Sequence, residues 1–295
     1  MTSPPQKLAC ITLDVEADLA NSRGRIRLFD EPDLLERYVR ILEKHDVRLT
    51  AFLVTSVLER YGADILELAK RIPTEFGVHS HRHDPRTACT RAEIRLAVQT
   101  FREFLGKDPA GFRAPIGAIT AEGLHALMDY GFRFDSSLYP SIRFGKNGYW
   151  NPHMPIVPFR VTREGADLME CPITALPTVR VMFALSYVKL LGWRAYRALL
   201  ALFPLPDMAV FLSHPHDLYR PKFDDGVRGL EKRAILRNAQ RGMDIFERVL
   251  IRLQEQGYRF VHMGEMCAAA RQTALRQVRL ARGRGAVQPF PSPPI

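Results

Sequence analysis

The stretch LACITLDVE, Leu8–Glu16, decides the architecture. It reads as a β-strand that is apolar along most of its length and ends on two acids, Asp14 and Glu16. Alternate residues on a strand point the same way, so both carboxylates face one side at the strand's end. Acids in an otherwise apolar strand are costly unless paired, metal-bound or capping the next loop.

Outward from this strand, short β-like runs alternate with longer helical patterns. DEPDLLERYVRILEKHD carries Leu34, Leu35, Val39, Ile41 and Leu42 at helical spacing. RLTAFLVT is a second strand, and a helix follows from about Val57 to Ile72. FGVHSH is a third strand. The helix Thr90 to Leu105 opens on the capping-box pattern TRAE and stops at Gly106. GFRAP is a strand, TAEGLHALMDYG a helix ending at Gly131, and FRFDSSL a fifth strand. PIVPFRV, DLMECPI, MAVFLSHPHD and YRFVHMGEM are further strands, with one long helix from Leu230 to Gly257 before the last. Such alternation with short connections implies an α/β fold on a parallel sheet, and seven or so strands permit closure into a barrel. In such barrels the chemistry sits at the C-terminal strand ends.

The reactive residues fall at those ends. His79-Ser80-His81-Arg82-His83 follows the third strand and gathers three of the chain's nine histidines. His79 and His83 are four apart, which puts two imidazoles on one side if the backbone turns helically there. Two histidines and one carboxylate leave metal positions open for water and substrate, the arrangement of a catalytic site. Arg113 ends the fourth strand and is placed to hold a carboxylate ionised. Asp135 ends the fifth. Ser213-His214-Pro215-His216-Asp217 follows another apolar strand, where a histidine can protonate a leaving amine; His214 leads, with His216 as its competitor.

In order, DVE, HSxxH, RxP, DSS and LxH resemble the motifs of the polysaccharide deacetylase family, carbohydrate esterase family 4, from about Leu8 to Met266. The resemblance implies a distorted, incomplete (β/α)7 barrel and a hydrolase that removes an N-acyl group, acetyl first, from an amino sugar. It puts the catalytic base on Asp14, the metal-binding histidines on His79 and His83, the base-orienting arginine on Arg113 and the general acid on His214. The aspartate tuning that acid falls on Asp135. The first motif departs from the usual adjacent aspartates: its second acid is Glu16, displaced by one residue, with Asp18 as the other candidate ligand. The cofactor implied is a divalent metal, zinc before others. Two other readings stand beside this one: a metal-independent ring-amide hydrolase of the same fold, and a degenerate glycan- or lipid-binding protein.

With 295 residues, 46% of them hydrophobic, the chain suits one domain of residues 8–266 and a basic, Pro-rich, loose tail of 267–295. Cys10, Cys89, Cys171 and Cys267 lack CxxC spacing, which excludes a zinc-finger pattern or disulfide framework and fits a reducing compartment. No secretory signal and no apolar run of about 18 residues is visible, so a cytoplasmic protein is expected. The net charge of +10 concentrates in two places. Residues 178–203 carry Arg180, Lys189, Arg194 and Arg197 among aromatics with no acid, and the tail carries five arginines after Glu265. Either 178–203 covers the barrel as one or two helices, or it lies on an anionic membrane. The second option suits a lipid-linked sugar at the inner membrane face. A nucleic-acid partner is not expected, because no binding motif accompanies the charge.

Overall fold

Strand parity along β1 (Lys7–Val15) sorts its side chains into two cores. Ala9, Ile11, Leu13 and Val15 pack into the layer between sheet and helices, whereas Leu8 and Cys10 join a second cluster inside the sheet's curve. Thr12, Asp14 and Glu16 continue the inward-facing set. The computed structural model describes residues 6–19, 24–143, 148–222, 229–273 and 276–279.

The chain proceeds through α1 (Arg27–Asp30), α2 (Pro32–Lys44), β2 (Leu49–Leu53), α3 (Leu58–Arg71), β3 (Thr74–Val78), α4 (Arg91–Leu105), β4 (Gly111–Phe112), α5 (Ala121–Asp129) and β5 (Phe134–Asp135). A small antiparallel pair, β6 (Ile142–Arg143) and β7 (Tyr149–Trp150), precedes the hairpin β8 (Phe159–Arg163) and β9 (Ala166–Glu170). Helices α6 (Leu185–Leu191) and α7 (Trp193–Leu202) lead into β10 (Met208–Ser213). Then come α8 (Gly229–Leu236), α9 (Gly242–Glu255), β11 (Tyr258–Phe260), α10 (Met263–Arg271) and β12 (Gln277–Arg279).

The sheet runs β10-β1-β2-β3-β4-β5-β9-β8-β12, with β11 on the start of β1. The neighbours from β10 through β9 pair in parallel, and β8 reverses against β9. Seven strands, β10 to β9, thus surround the interior. Their seam is not a regular ladder. Thr174, beyond β9, donates its N–H to the Val210 carbonyl (3.1 Å), and its hydroxyl accepts the Val210 N–H (2.8 Å). This is the distorted, incomplete α/β barrel expected from the resemblance.

Phe52 and Phe134 fill the interior edge to face, with ring centroids 6.4 Å apart. Their space comes from two strand glycines: a Cβ on Gly77 would sit 2.8 Å from Phe52, and one on Gly111 would sit 2.0 Å from Phe134.

Threonine caps start α4 and α5 as the sequence predicts, but the capping box expected at Thr90 is only half formed, because the Glu93 carboxylate accepts from Arg82 instead. The Thr90 hydroxyl accepts from the Glu93 N–H, Thr120 does the same for Gly123, and Gly106 ends α4 in the left-handed region at φ 66°.

Three expectations need correction. The helix read as continuous from Leu230 to Gly257 is broken into α8 and α9, because Asn238 adopts φ 56° and donates its side-chain N–H to the Lys189 carbonyl at 2.7 Å. YRFVHMGEM is a strand only over Tyr258–Phe260, and its end starts α10. The boundary placed at 267 falls inside α10, where Cys267 and Ala270 are buried, and β12 adds a parallel strand to β8. Residues 280–295 of the expected tail lie outside the described residues. The Cys171 and Cys267 thiols, both free, meet at 2.8 Å between β9 and α10.

Residues 178–203 fold as two helices split at Gly192 (φ 85°). They turn Leu185, Val188, Tyr196 and Leu200 into the core, so this segment covers the barrel. No helix among the described residues is long and apolar enough to cross a membrane.

Candidate active site

Because neighbouring strands run parallel, their C-terminal ends bring Asp14, Glu16, His79, Arg113 and His214 to one mouth. Arg113 is fully buried and organises the floor. Its Nη1 donates to Asp14 Oδ1 (2.6 Å) and Thr12 Oγ1 (2.8 Å); Nε donates to the Ser136 carbonyl (3.0 Å) and Nη2 to Ser136 Oγ (2.8 Å). The guanidinium also lies over the Phe52 ring, 4.1 Å from its centroid. A buried charge needs such full pairing. Asp14 is therefore fixed through one oxygen, while Oδ2 has no hydrogen-bond partner and faces His79 Nε2 at 3.7 Å and His214 Nε2 at 3.9 Å.

His79 Nδ1 lies 2.8 Å from the Arg113 carbonyl, which can only accept, so Nδ1 carries the proton and Nε2 keeps its lone pair. Nε2 lies 3.4 Å from Glu16 Oε2, and His83 Nε2 contacts the same oxygen. Glu16, His79 and His83 thus converge as a set able to hold a divalent metal. Burial alone would raise the Glu16 carboxyl, but the charge and hydrogen bond of the adjacent His83 hold it well below its usual range.

The two histidines do not meet through a helical turn. Ser80 (φ 62°) and His83 (φ 58°) are left-handed, the His83 N–H is held by Ser80 Oγ at 3.0 Å, and the rings end 5.0 Å apart. Asp18 is turned away from this cluster. Its carboxylate accepts from the Tyr219 hydroxyl and the Arg27 N–H, and burial pushes its pKa up to about 6.

Across the mouth, His214 caps a short 3-10 turn with Asp217, whose Oδ2 accepts from His214 Nδ1 at 2.9 Å. Nε2 is left facing Asp14. Desolvation lowers the His214 pKa, but the Asp217 hydrogen bond and the charges of Glu16, Asp217 and Asp14 outweigh it and raise it to about 9. His216 stacks on His214 with 5.0 Å between centroids, and desolvation drops it to about 4. A buried imidazole that stays neutral is poorly suited to donate a proton, so His214 fills that place.

The carboxylate on His214 is Asp217, not Asp135. Phe134 points into the barrel, so Asp135, next along β5, points the opposite way. It accepts from Ser137 Oγ (2.6 Å) and sits in register with Glu170 of β9. Asp135 Oδ2 and Glu170 Oε2 are buried with no other hydrogen-bond partner, which makes them a pair sharing a proton. Burial raises both, Asp135 to about 6 and Glu170, through the Asp135 charge as well, well above its usual value. Groups raised on folding contribute stability fully below their unfolded pKa values, near 4, and that contribution is lost as pH rises through the folded ones. Glu170→Gln removes the second ionisation. It is expected to lose at least about 1 kcal/mol less than the wild type between pH 6 and pH 9. Melting curves at both pH values measure this, and parallel pH dependence in the two proteins would rule out the shared proton.

Sequence reasoning missed Asp217 and Lys189. Asp217 had a signal, its i+3 spacing from a strand-end histidine; Lys189 had none.

Residues 3–134 match the model of a family described as polysaccharide deacetylase. This stretch carries Asp14, Glu16, His79, His83 and Arg113, and over it the chain is similar to that family. No curated protein matches the sequence. Among solved structures, the chain is similar to a Mycobacterium smegmatis protein provisionally assigned as a polysaccharide deacetylase, at 18% identity over 96% of this chain and 97% of that one, TM-score 0.58. It is similar to the peptidoglycan deacetylase PdaC of Bacillus subtilis at 16% identity, covering 92% and 95%, TM-score 0.52. A structure described as Puue allantoinase is similar at 15% identity, again covering 92% and 95%, TM-score 0.59. At such identities the likeness is one of fold, and the fold hosts more than one chemistry.

Proposed function

We propose that this chain is a zinc-dependent carbohydrate N-deacetylase that hydrolyses the N-acyl amide of an amino sugar. The observation that carries this reading is the pairing, across one mouth, of a histidine–histidine–carboxylate set with a fixed carboxylate and a strongly basic histidine. The donor chemistry suits the metal: two imidazoles and one carboxylate, with His79 in the ligating tautomer and a buried carboxylate oxygen of Asp14 beside them. These are the features a metal-independent ring-amide hydrolase has no use for.

When bound, a divalent ion supplies Lewis acidity to the amide carbonyl and lowers the pKa of water from 15.7 towards about 7. Glu16, His79 and His83 would hold it. Asp14 Oδ2 accepts a proton from the attacking water while Arg113 holds the carboxylate in place through Oδ1. His214 Nε2–H then protonates the departing amine, and Asp217 stabilises the imidazolium that precedes transfer. The products are a free amino sugar and a carboxylate.

The experiment is amine release from N-acetylglucosamine oligomers and a lipid-linked N-acetyl sugar, with zinc-loaded and chelator-stripped protein compared. Expected is one substrate turned over only when zinc is present. Equal turnover after stripping would overturn the metal-dependent reading.

The finer substrate proposal is a lipid-linked amino sugar at the cytoplasmic membrane face. It rests on α7, which exposes Arg194 and Arg197 beside Leu191 and Leu202, the last 72% exposed. Anionic lipid attracts such residues at about 1 kcal/mol per basic side chain near the surface. Flotation with phosphatidylserine vesicles is expected to carry the protein at low salt, and Arg194→Glu with Arg197→Glu to abolish it. Wild-type protein left at the bottom of the gradient would remove the membrane from the proposal.

A further inference from the structure

Lys189 is an anomaly in its helix. It stands in α6, on the outer layer of the barrel, yet it is only 3% exposed. Its Nζ lies 2.9 Å from Asp217 Oδ1, and Asp217 is itself 2% exposed. The other carboxylate oxygen of Asp217 accepts from His214 Nδ1 at 2.9 Å. The three groups therefore form one chain, Lys189–Asp217–His214, from the covering helix to the site mouth. The Lys189 carbonyl is held by the Asn238 side chain, the residue that breaks α8 from α9, so the helix carrying the ammonium is fixed on both sides.

We infer that Lys189 is a positioning residue for proton donation: it neutralises and orients Asp217 so that His214, which Asp217 keeps protonated, can still release its proton. This rests on the reading of His214 as the acid. The argument is one of charge. Asp217 and protonated His214 alone make a neutral pair, and giving up the proton leaves a bare buried anion. With Lys189 present, loss of the proton leaves the neutral pair Lys189–Asp217 instead. Lys189 thus makes His214 a better acid, even as Asp217 makes it basic enough to be protonated. The other charged or titratable groups facing His214 are Asp14 at 3.9 Å, Glu16, His83 and the neutral His216 stacked on it. None of them neutralises Asp217 as Lys189 does. Consistent with the same charge, burial alone would raise the Asp217 carboxyl, but Lys189 and then the His214 hydrogen bond hold it far below the usual carboxylate range.

The test compares wild type, Lys189→Met, Lys189→Gln, Lys189→Arg and Asp217→Asn, each zinc-loaded and each checked by a melting curve. Two readouts are taken: the alkaline limb of the kcat–pH profile, and the His214 ring titration by NMR. Removal of the ammonium is expected to move the limb up by about one pH unit, and removal of Asp217 to move it down, towards 6.5. At neutral pH, kcat in Lys189→Met falls about ten-fold with KM nearly unchanged, as expected of a weaker acid. Lys189→Arg restores both. Should Lys189→Met fail to fold, Lys189→Gln keeps a donor to Asp217 and removes only the charge. A purely structural lysine predicts no limb shift in any folded Lys189 variant, and that result would overturn the inference. If wild type releases no amine from any substrate, the deacetylase reading fails by itself. The NMR titration still decides the role of Lys189, because it needs no turnover.

Discussion

Asp14→Asn is expected to lower amine release by about 10²–10⁴-fold while bound zinc stays at the wild-type level. The substitution is nearly isosteric, and the Asn carbonyl can still accept from Arg113 Nη1, which lies 2.6 Å from Asp14 Oδ1. What is lost is the second oxygen, Oδ2, which has no other partner and faces the histidines. An amide nitrogen there cannot take a proton from water. The buried Arg113 charge also loses its counter-ion, and breaking a buried pair costs about 3–5 kcal/mol. Thr12 and Ser136 still accept from the guanidinium, so the lower part of that range is expected. Melting temperature, zinc content and turnover separate the two effects. A folded, zinc-loaded Asp14→Asn protein with more than a tenth of wild-type turnover would remove Asp14 from the role of base.

The sequence was readable where strand parity and strand-end position decide the outcome. Asp14 and Glu16 lie two apart on a strand whose intervening residues are apolar, and the structure turns both inward. Glu16 and Asp18 were not separable by that rule, since parity treats 14, 16 and 18 alike. The choice is made by Tyr219, distant in the chain, and by the Arg27 N–H at the start of α1, which draw Asp18 aside. Asp135 illustrates the opposite error. Motif order put it at the acid, whereas its neighbour Phe134, plainly a core residue, fixes it on the outer face of β5.

Lys189 was hidden for a different reason. In sequence it belongs to a basic, aromatic-rich stretch, and a charge in such company reads as surface. Only the approach of α6 to the turn after β10 reveals that this cation is buried against Asp217, while Arg194 and Arg197 of the next helix remain outside. The break at Asn238 was equally hidden, since its left-handed backbone is tied to a carbonyl on α6 rather than to anything nearby in the chain.

His79→Ala is expected to weaken zinc binding by at least about 100-fold and to remove amine release with it. His79 is the most constrained of the three proposed ligands: it is 1% exposed, its Nδ1–H is held by the Arg113 carbonyl, and its strand-end backbone N–H donates to the Leu53 carbonyl at 2.7 Å. Truncation removes one ligand and also leaves a buried carbonyl without its side-chain donor, at a cost of about 1–3 kcal/mol. His83→Ala should be milder on both counts. Its side chain is one third exposed, and Glu16 and His79 remain in contact after its loss. The ordering His79→Ala below His83→Ala, in both zinc affinity and melting temperature, follows from burial and tautomer control. Zinc titration followed by calorimetry measures it. An undiminished zinc affinity in His79→Ala would place the metal elsewhere, with His214, His216 and Asp217 as the other convergent set among the described residues. In that event the residues assigned here to proton donation would instead be ligands, and Asp217→Asn would abolish binding rather than shift a pH limb.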